Sequence, residues 1–120
     1  TMLTSLPELI ASARSKLRCL NAETAIQELL ATGGTLIDVR EPIERDNEPA
    51  AQSINIPRGI LEMKVMDLIA DSAHPIYVHC ATGGRATLAA EQLARLGYTN
   101  VTVITCSAEI VNKHQSAACT

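Results

Sequence analysis

A short segment of the chain brings together a thiol, two glycines and a guanidinium. Residues 80–85 read Cys-Ala-Thr-Gly-Gly-Arg and directly follow an apolar run at 75–79. Gly83 and Gly84 let the backbone curl so that successive N–H groups point to one side and can bind an anion. A cysteine that faces such donors is favoured as thiolate, the form that acts as a nucleophile or carries sulfur. Cys80 is therefore the predicted nucleophile.

The other residues of this loop have supporting roles in the hypothesis. The backbone N–H groups predicted to cradle the anion are those of Ala81, Thr82, Gly83 and Gly84. Arg85 would hold an oxyanion substrate or hydrogen-bond the loop carbonyls. The alternative is that Cys80 is a buried cysteine at a strand end and the glycines form an ordinary turn. The coincidence of thiol, glycines and arginine between a strand and a helix favours the catalytic interpretation.

The apolar pattern predicts alternating strands and helices around the loop. Short apolar runs typical of strands lie at 18–20, 35–39, 53–56, 75–79 and 101–104. Helical periodicity marks an opening helix within residues 1–18, a helix from the Asn21 cap to Gly33, and helices at 60–69 and 86–96. Strands joined by helices predict the α/β class, with a mostly parallel central sheet covered by helices on both faces. Ligands bind such sheets at the carboxyl ends of the strands, where the loop after His79 lies.

Composition narrows the function classes. The 120 residues predict a single domain, and 10 Lys+Arg against 13 Asp+Glu give a charge of −3, which argues against nucleic acid as a partner. No Phe or Trp is present to stack on bases or sugars, and the spacing of the four cysteines is not that of a zinc site. We therefore expect neither a metal nor a cofactor. No apolar run is long enough to cross a membrane, and no signal-peptide pattern begins the chain. Reduced thiols and a cytoplasmic location are expected.

Several segments resemble the rhodanese domains. Residues 36–44, Leu-Ile-Asp-Val-Arg-Glu-Pro-Ile-Glu, are similar to the L-I-D-V-R-E-P-x-E of that family, and residues 54–57 to its I-N-I-P. Residues 80–86 are similar to its active loop C-x-x-G-x-R-[ST/A], and residues 96–101 to the segment beyond it. The resemblance extends from about residue 20 to residue 104.

The resemblance implies a three-layer rhodanese-like fold and a sulfurtransferase. In that reaction Cys80 would take a sulfane sulfur from thiosulfate or a similar donor and hold it as a persulfide. It would then pass the sulfur to cyanide, a thiol or a thiol-bearing protein. No metal or cofactor is implied.

Two other functions stay open. Cysteine phosphatases and arsenate reductases share the cysteine–arginine loop. The phosphatases have five residues between the cysteine and the arginine, whereas four lie between Cys80 and Arg85. A binding or regulatory module with little turnover would fit the departures from the family. These are Glu-Pro-Ala-Ala-Gln-Ser at 48–53 in place of G-H-I-P-G-A, and an atypical segment at 107–120.

Some residues near the predicted site are secondary candidates. Cys106 follows the last strand and could resolve a Cys80 persulfide as a disulfide, although a small packing residue is the more economical interpretation. Arg40 could steer an anionic donor or form an ion pair with Asp38 or Glu44. Arg58, which follows another strand, has the same two possible roles. His79 is expected to be packed, and Cys19 and Cys119 to be structural or incidental.

Overall fold

Five parallel strands form the sheet in the computed structural model, which describes residues 2–48 and 52–118, with the backbone alone for 116–118. The strands are β1 (Arg18–Leu20), β2 (Thr35–Asp38), β3 (Ile54–Asn55), β4 (Ile76–His79) and β5 (Val101–Ile104). Their order across the sheet is β1-β5-β4-β2-β3, and every neighbouring pair is parallel. The predicted α/β class is confirmed. Because β4 is central, its carboxyl end opens in the middle of the sheet edge.

Helices cover both faces of this sheet. In the described residues they are α1 (Leu6–Arg14), α2 (Ala22–Thr32), α3 (Pro42–Asn47), α4 (Leu61–Leu68), α5 (Gly84–Leu96) and α6 (Ala108–Ala118). As predicted, the Asn21 side chain accepts the Thr24 N–H at 2.9 Å to begin α2, and Gly33 ends that helix with φ +67°. None of these helices is both long and apolar enough to cross a membrane.

Side chains alternate between two hydrophobic layers. Ile37, Val78 and Cys80 face the layer formed with α4 and α5, whereas Leu36 and Tyr77 face the layer formed with α2 and α6. The small buried alanines of α2 and α5 let these helices approach the sheet closely: Ala22, Ala25, Ala86, Ala89 and Ala90. A core without Phe or Trp is thus filled by aliphatic side chains and alanine. Cys80 belongs to this core at its edge.

The structure departs from the sequence predictions at three helices. The polar stretch after β2 forms α3, because Pro42 starts a helix and the Glu44 side chain accepts the Glu41 N–H at 3.0 Å. Helix α5 begins at Gly84, two residues before the predicted start. The opening helix covers only Leu6–Arg14 of the predicted 1–18, and its leucines Leu6 and Leu9 are 60% and 44% exposed.

The carboxyl-terminal segment is helical. The atypical segment at 107–120 contains α6, and the Ser107 hydroxyl accepts the Ile110 N–H at 3.4 Å where this helix begins. Residues 49–51 of the departing segment, and Cys119, lie outside the described residues.

Candidate active site

The sulfur of Cys80 lies where β4 gives way to α5. Cys80 is 1% exposed, and its Sγ accepts the N–H of Gly83 at 3.0 Å and the N–H of Ala86 at 3.3 Å. Both donors belong to the start of α5, whose first backbone N–H groups have no partner within the helix and carry the positive end of its dipole. Gly83 was predicted to supply such an amide; Ala86 was not. Two N–H groups therefore converge on one sulfur.

Gly83 is required by its conformation and its surroundings. Its φ of +96° is in the left-handed region that favours glycine. A Cβ at this position would lie 3.1 Å from the Thr105 carbonyl oxygen. The Gly83 carbonyl is fixed by Thr87, whose Oγ1 donates to it at 2.7 Å. Sequence reasoning missed Thr87, although its position one turn after the loop is where a threonine can bond back to the carbonyl four residues earlier.

Arg85 is engaged in an ion pair. Its guanidinium donates to both carboxylate oxygens of Glu44, with Nη2–Oε2 at 2.8 Å. The hydrogen bonds from Arg85 lower the pKa of Glu44 to about 2, and the Glu41 N–H contributes in the same direction. The pair ties the start of α5 to α3. The sequence suggests Glu44 as a partner for Arg40, whereas the structure pairs it with Arg85.

Removing the charge of Glu44 tests this pair through its pH dependence. Because the pKa of Glu44 falls from 4.5 to about 2 on folding, its contribution is complete above 4.5 and is lost as pH falls towards 2. Both side chains are about one-third exposed, so Glu44→Gln should lower the free energy of unfolding by no more than about 1 kcal/mol at pH 7. Urea unfolding of both proteins between pH 7 and 3 should show the gap narrowing below pH 4.5. A gap that stays constant to pH 3 would contradict the assignment.

Arg40 lies in a buried ion pair with Asp38. Arg40 is 2% exposed, its Nη2 lies 2.9 Å from Asp38 Oδ2, and it also donates to the Glu48 carbonyl at 2.8 Å. Asp38 is fully buried and also pairs with Arg45 at 3.5 Å. Of the two roles considered for Arg40, the structure shows the ion pair with Asp38. Arg58 likewise pairs with Glu62, at 2.8 Å.

Cys106 and Cys80 lie in different hydrophobic layers. The Cys106 sulfur accepts the Ala22 N–H at 3.2 Å and packs with the α2 and α6 layer. Cys80 packs with the α4 and α5 layer. Cys19, Cys80 and Cys106 are free thiols. Cys106 thus occupies the place of a packing residue, and its role as a resolving thiol stays a prediction.

His79 is the buried residue that the strand pattern predicts. It is 0% exposed, and neither ring nitrogen has a hydrogen-bond partner within the described residues. Burial lowers its pKa from 6.5 to about 4; Arg40 and Arg45 act in the same direction, and Asp38 opposes them. The imidazole is therefore neutral in the folded protein at pH 7.

This histidine should make the fold sensitive to mild acid. Between pH 6.5 and about 4 the unfolded chain binds a proton at His79 that the folded chain does not, so stability falls as pH falls. The loss can reach about 3 kcal/mol. His79→Leu should flatten the dependence of the urea midpoint on pH in this range. An equally steep acid limb in His79→Leu would assign the effect to other groups.

The fold and the site together define a class of protein. A parallel sheet ends in a loop that presents a cysteine sulfur to the N–H groups of a helix start. A family model described as the Rhodanese-like domain matches residues 22–111 of the chain. The chain belongs to the rhodanese-like domain family. The resemblance read from the sequence motifs is confirmed.

Related proteins agree with this membership. A Schizosaccharomyces pombe protein named "Putative thiosulfate sulfurtransferase, mitochondrial" is 36% identical over 55% of this chain. The match covers 54% of that protein, so the chain spans about half the length of this curated relative. The solution structure of a 30 kDa polysulfide-sulfur transferase homodimer from Wolinella succinogenes has a TM-score of 0.74 and 24% identity, over 89% of this chain and 81% of that one.

A second similar structure is named for another activity. A Rhodopseudomonas palustris protein of unknown function, described as a possible tyrosine phosphatase, has a TM-score of 0.77 and 22% identity. The superposition covers 98% of this chain and 94% of that one. At this identity the likeness shows a shared fold alone.

Proposed function

We propose that this protein is a sulfurtransferase that carries a sulfane sulfur as a persulfide on Cys80. The observation that carries the proposal is the environment of the Cys80 sulfur, which accepts N–H groups from Gly83 and Ala86 at the start of α5. These donors would hold negative charge on a thiolate or on the outer sulfur of a persulfide. Membership of the rhodanese-like family and the sulfurtransferase relative support the same reaction.

The reaction consists of two displacements at sulfur. The Cys80 thiolate attacks the outer sulfur of thiosulfate, a new S–S bond forms, and the original S–S bond breaks as sulfite leaves with its electron pair. A nucleophilic acceptor, cyanide or a thiolate, then attacks the outer sulfur of the persulfide. The Cys80 thiolate leaves with the electron pair, and the site is regenerated. Because the thiolate is both nucleophile and leaving group, the cycle needs no metal and no general base.

Arg85 supports sulfur transfer over phosphate hydrolysis. In a phosphatase the loop arginine binds the phosphate oxygens, whereas here both Nη groups of Arg85 donate to the Glu44 carboxylate. The four-residue spacing between Cys80 and Arg85 also leaves a smaller loop than a phosphatase uses. In our proposal Arg85 positions the start of α5, and the loop amides bind the sulfur.

A pair of steady-state assays distinguishes the candidate activities. Purified protein is given thiosulfate and cyanide and the thiocyanate formed is measured, and a second sample is given a phenyl phosphate. Saturable thiocyanate formation without phosphate release is the expected result. Phosphate release that is lost in Cys80→Ser would favour the phosphatase, and inactivity in both assays would favour a binding or regulatory module.

A thiol-bearing protein as acceptor and a cytoplasmic location are further parts of this proposal.

A further inference from the structure

The side chain of Arg14, at the end of α1, lies against the outside of the active loop. Its Nε donates to Thr87 Oγ1 at 3.0 Å, and its Nη2 would lie 2.9 Å from a Cβ placed on Gly83. Gly83 is the residue whose N–H holds the Cys80 sulfur. A guanidinium from the first helix and the sulfur at the end of β4 are therefore neighbours of the same loop residue.

Arg14 is an available cation at this loop. The loop side chains Ala81 and Thr82 are neutral, and Arg85 is neutralised by Glu44. In the part of the chain that the structure describes, Arg14 has no carboxylate within ion-pair distance and its Nη groups have no protein acceptor. Arg14 is half-buried, so these donors can reach a ligand.

An open groove runs beside this cation and two residues of the active loop. The groove has a volume of about 620 Å³ and lies between α1 and the loop. Its lining residues are Pro7, Ile10, Ala11, Arg14, Thr82 and Gly84. Arg14 is the charged residue among them, and its planar fork of N–H donors matches the paired oxygens of a sulfonate-type group.

We propose that Arg14 is the specificity residue for the donor, binding the oxyanion end of a thiosulfate-class sulfur donor. This inference rests on the proposed sulfurtransferase function and adds the residue that would bind the oxyanion end of the donor. The charge comes from a helix that precedes residues 22–111, the part matched by the rhodanese-like family. The first helix would thus complete a loop whose own arginine is occupied.

Anion binding without turnover tests the proposal. Thiosulfate is titrated into Cys80→Ala, which cannot form the persulfide, and the amide chemical shifts of residues 81–86 are followed. Adding Arg14→Gln should weaken the thiosulfate Kd about tenfold. Lys16→Gln removes the same charge from an exposed position two residues further along, and should leave the Kd nearly unchanged. In protein with Cys80 intact, Arg14→Gln should raise KM for thiosulfate by a similar factor and leave kcat nearly unchanged.

Two further variants separate substrate binding from support of the loop. Thr87→Val removes both the hydrogen-bond acceptor of Arg14 and the donor to the Gly83 carbonyl, but keeps the charge of Arg14, so it tests support of the loop. Arg14→Lys should restore part of the affinity. An unchanged Kd in Arg14→Gln, an affinity of Arg14→Lys no higher than that of Arg14→Gln, or no thiosulfate binding by Cys80→Ala would each overturn the proposal. Arg14-dependent binding in a protein that transfers no sulfur would support the anion site and reject the sulfurtransferase function.

Discussion

Replacing Cys80 by alanine should reduce thiosulfate-dependent thiocyanate formation by at least about a thousandfold. The expected loss is large because the sulfur is the atom that attacks, carries and leaves, and no neighbouring group can take over these steps. Cys106 packs in the layer of α2 and α6, and Cys19 lies in β1 at the edge of the sheet. The loss should appear in kcat, measured with saturating thiosulfate and cyanide.

Cys19→Ala is the matched control for this variant. It makes the same change, cysteine to alanine, in another strand of the sheet and leaves the loop and α5 intact. The kcat should therefore stay close to that of the wild type. Far-UV circular dichroism of both variants shows whether each is folded. Substantial thiocyanate formation by folded Cys80→Ala would place the nucleophile elsewhere.

Neutralising Asp38 should cause the largest loss of stability. Asp38→Asn keeps the shape of the side chain but leaves the buried Arg40 without its counter-charge, and Arg45 loses the same partner. Removing one partner of a buried ion pair costs about 3 kcal/mol or more, a large share of the 5–15 kcal/mol that holds a typical domain folded. The free energy of unfolding in urea, followed by circular dichroism at pH 7, gives the value.

The exposed pair Arg58–Glu62 provides the comparison. Its side chains are 28% and 38% exposed and lie one helical turn apart, so Glu62→Gln should cost less than about 0.5 kcal/mol. A cost for Asp38→Asn as small as that for Glu62→Gln would show that solvent reaches the buried pair. Since Arg40 also holds the Glu48 carbonyl at the end of α3, we expect Asp38→Asn to loosen the helix that carries Glu44.

Local patterns in the sequence predicted most of the fold. The caps at Asn21 and Gly33, the apolar runs that become β2 and β4, and the end of α5 at Leu96 all lie where these patterns place them. Each of these features depends on residues that are close together in the sequence. The same is true of Cys80, whose place at a strand end followed from the apolar run and the glycines beside it.

The supporting contacts of the site could not be predicted in this way. Arg85 and Glu44 are 41 residues apart in the chain, and Arg14 and Thr87 are 73 apart. Many charged side chains compete for such partners, and only the sheet order brings these together. Helix α3 was missed because it has no buried residue and therefore no apolar periodicity, although its proline and its two glutamates mark a helix start.

The most direct test of the account is the intact mass of the protein before and after incubation with thiosulfate, in wild type and in Cys80→Ala. The account predicts that wild type gains the mass of one sulfur atom, that cyanide removes it, and that Cys80→Ala gains nothing. Failure of wild type to gain sulfur from thiosulfate or from another sulfane donor would contradict the persulfide mechanism. A gain of sulfur by Cys80→Ala would contradict the assignment of Cys80 as the carrier.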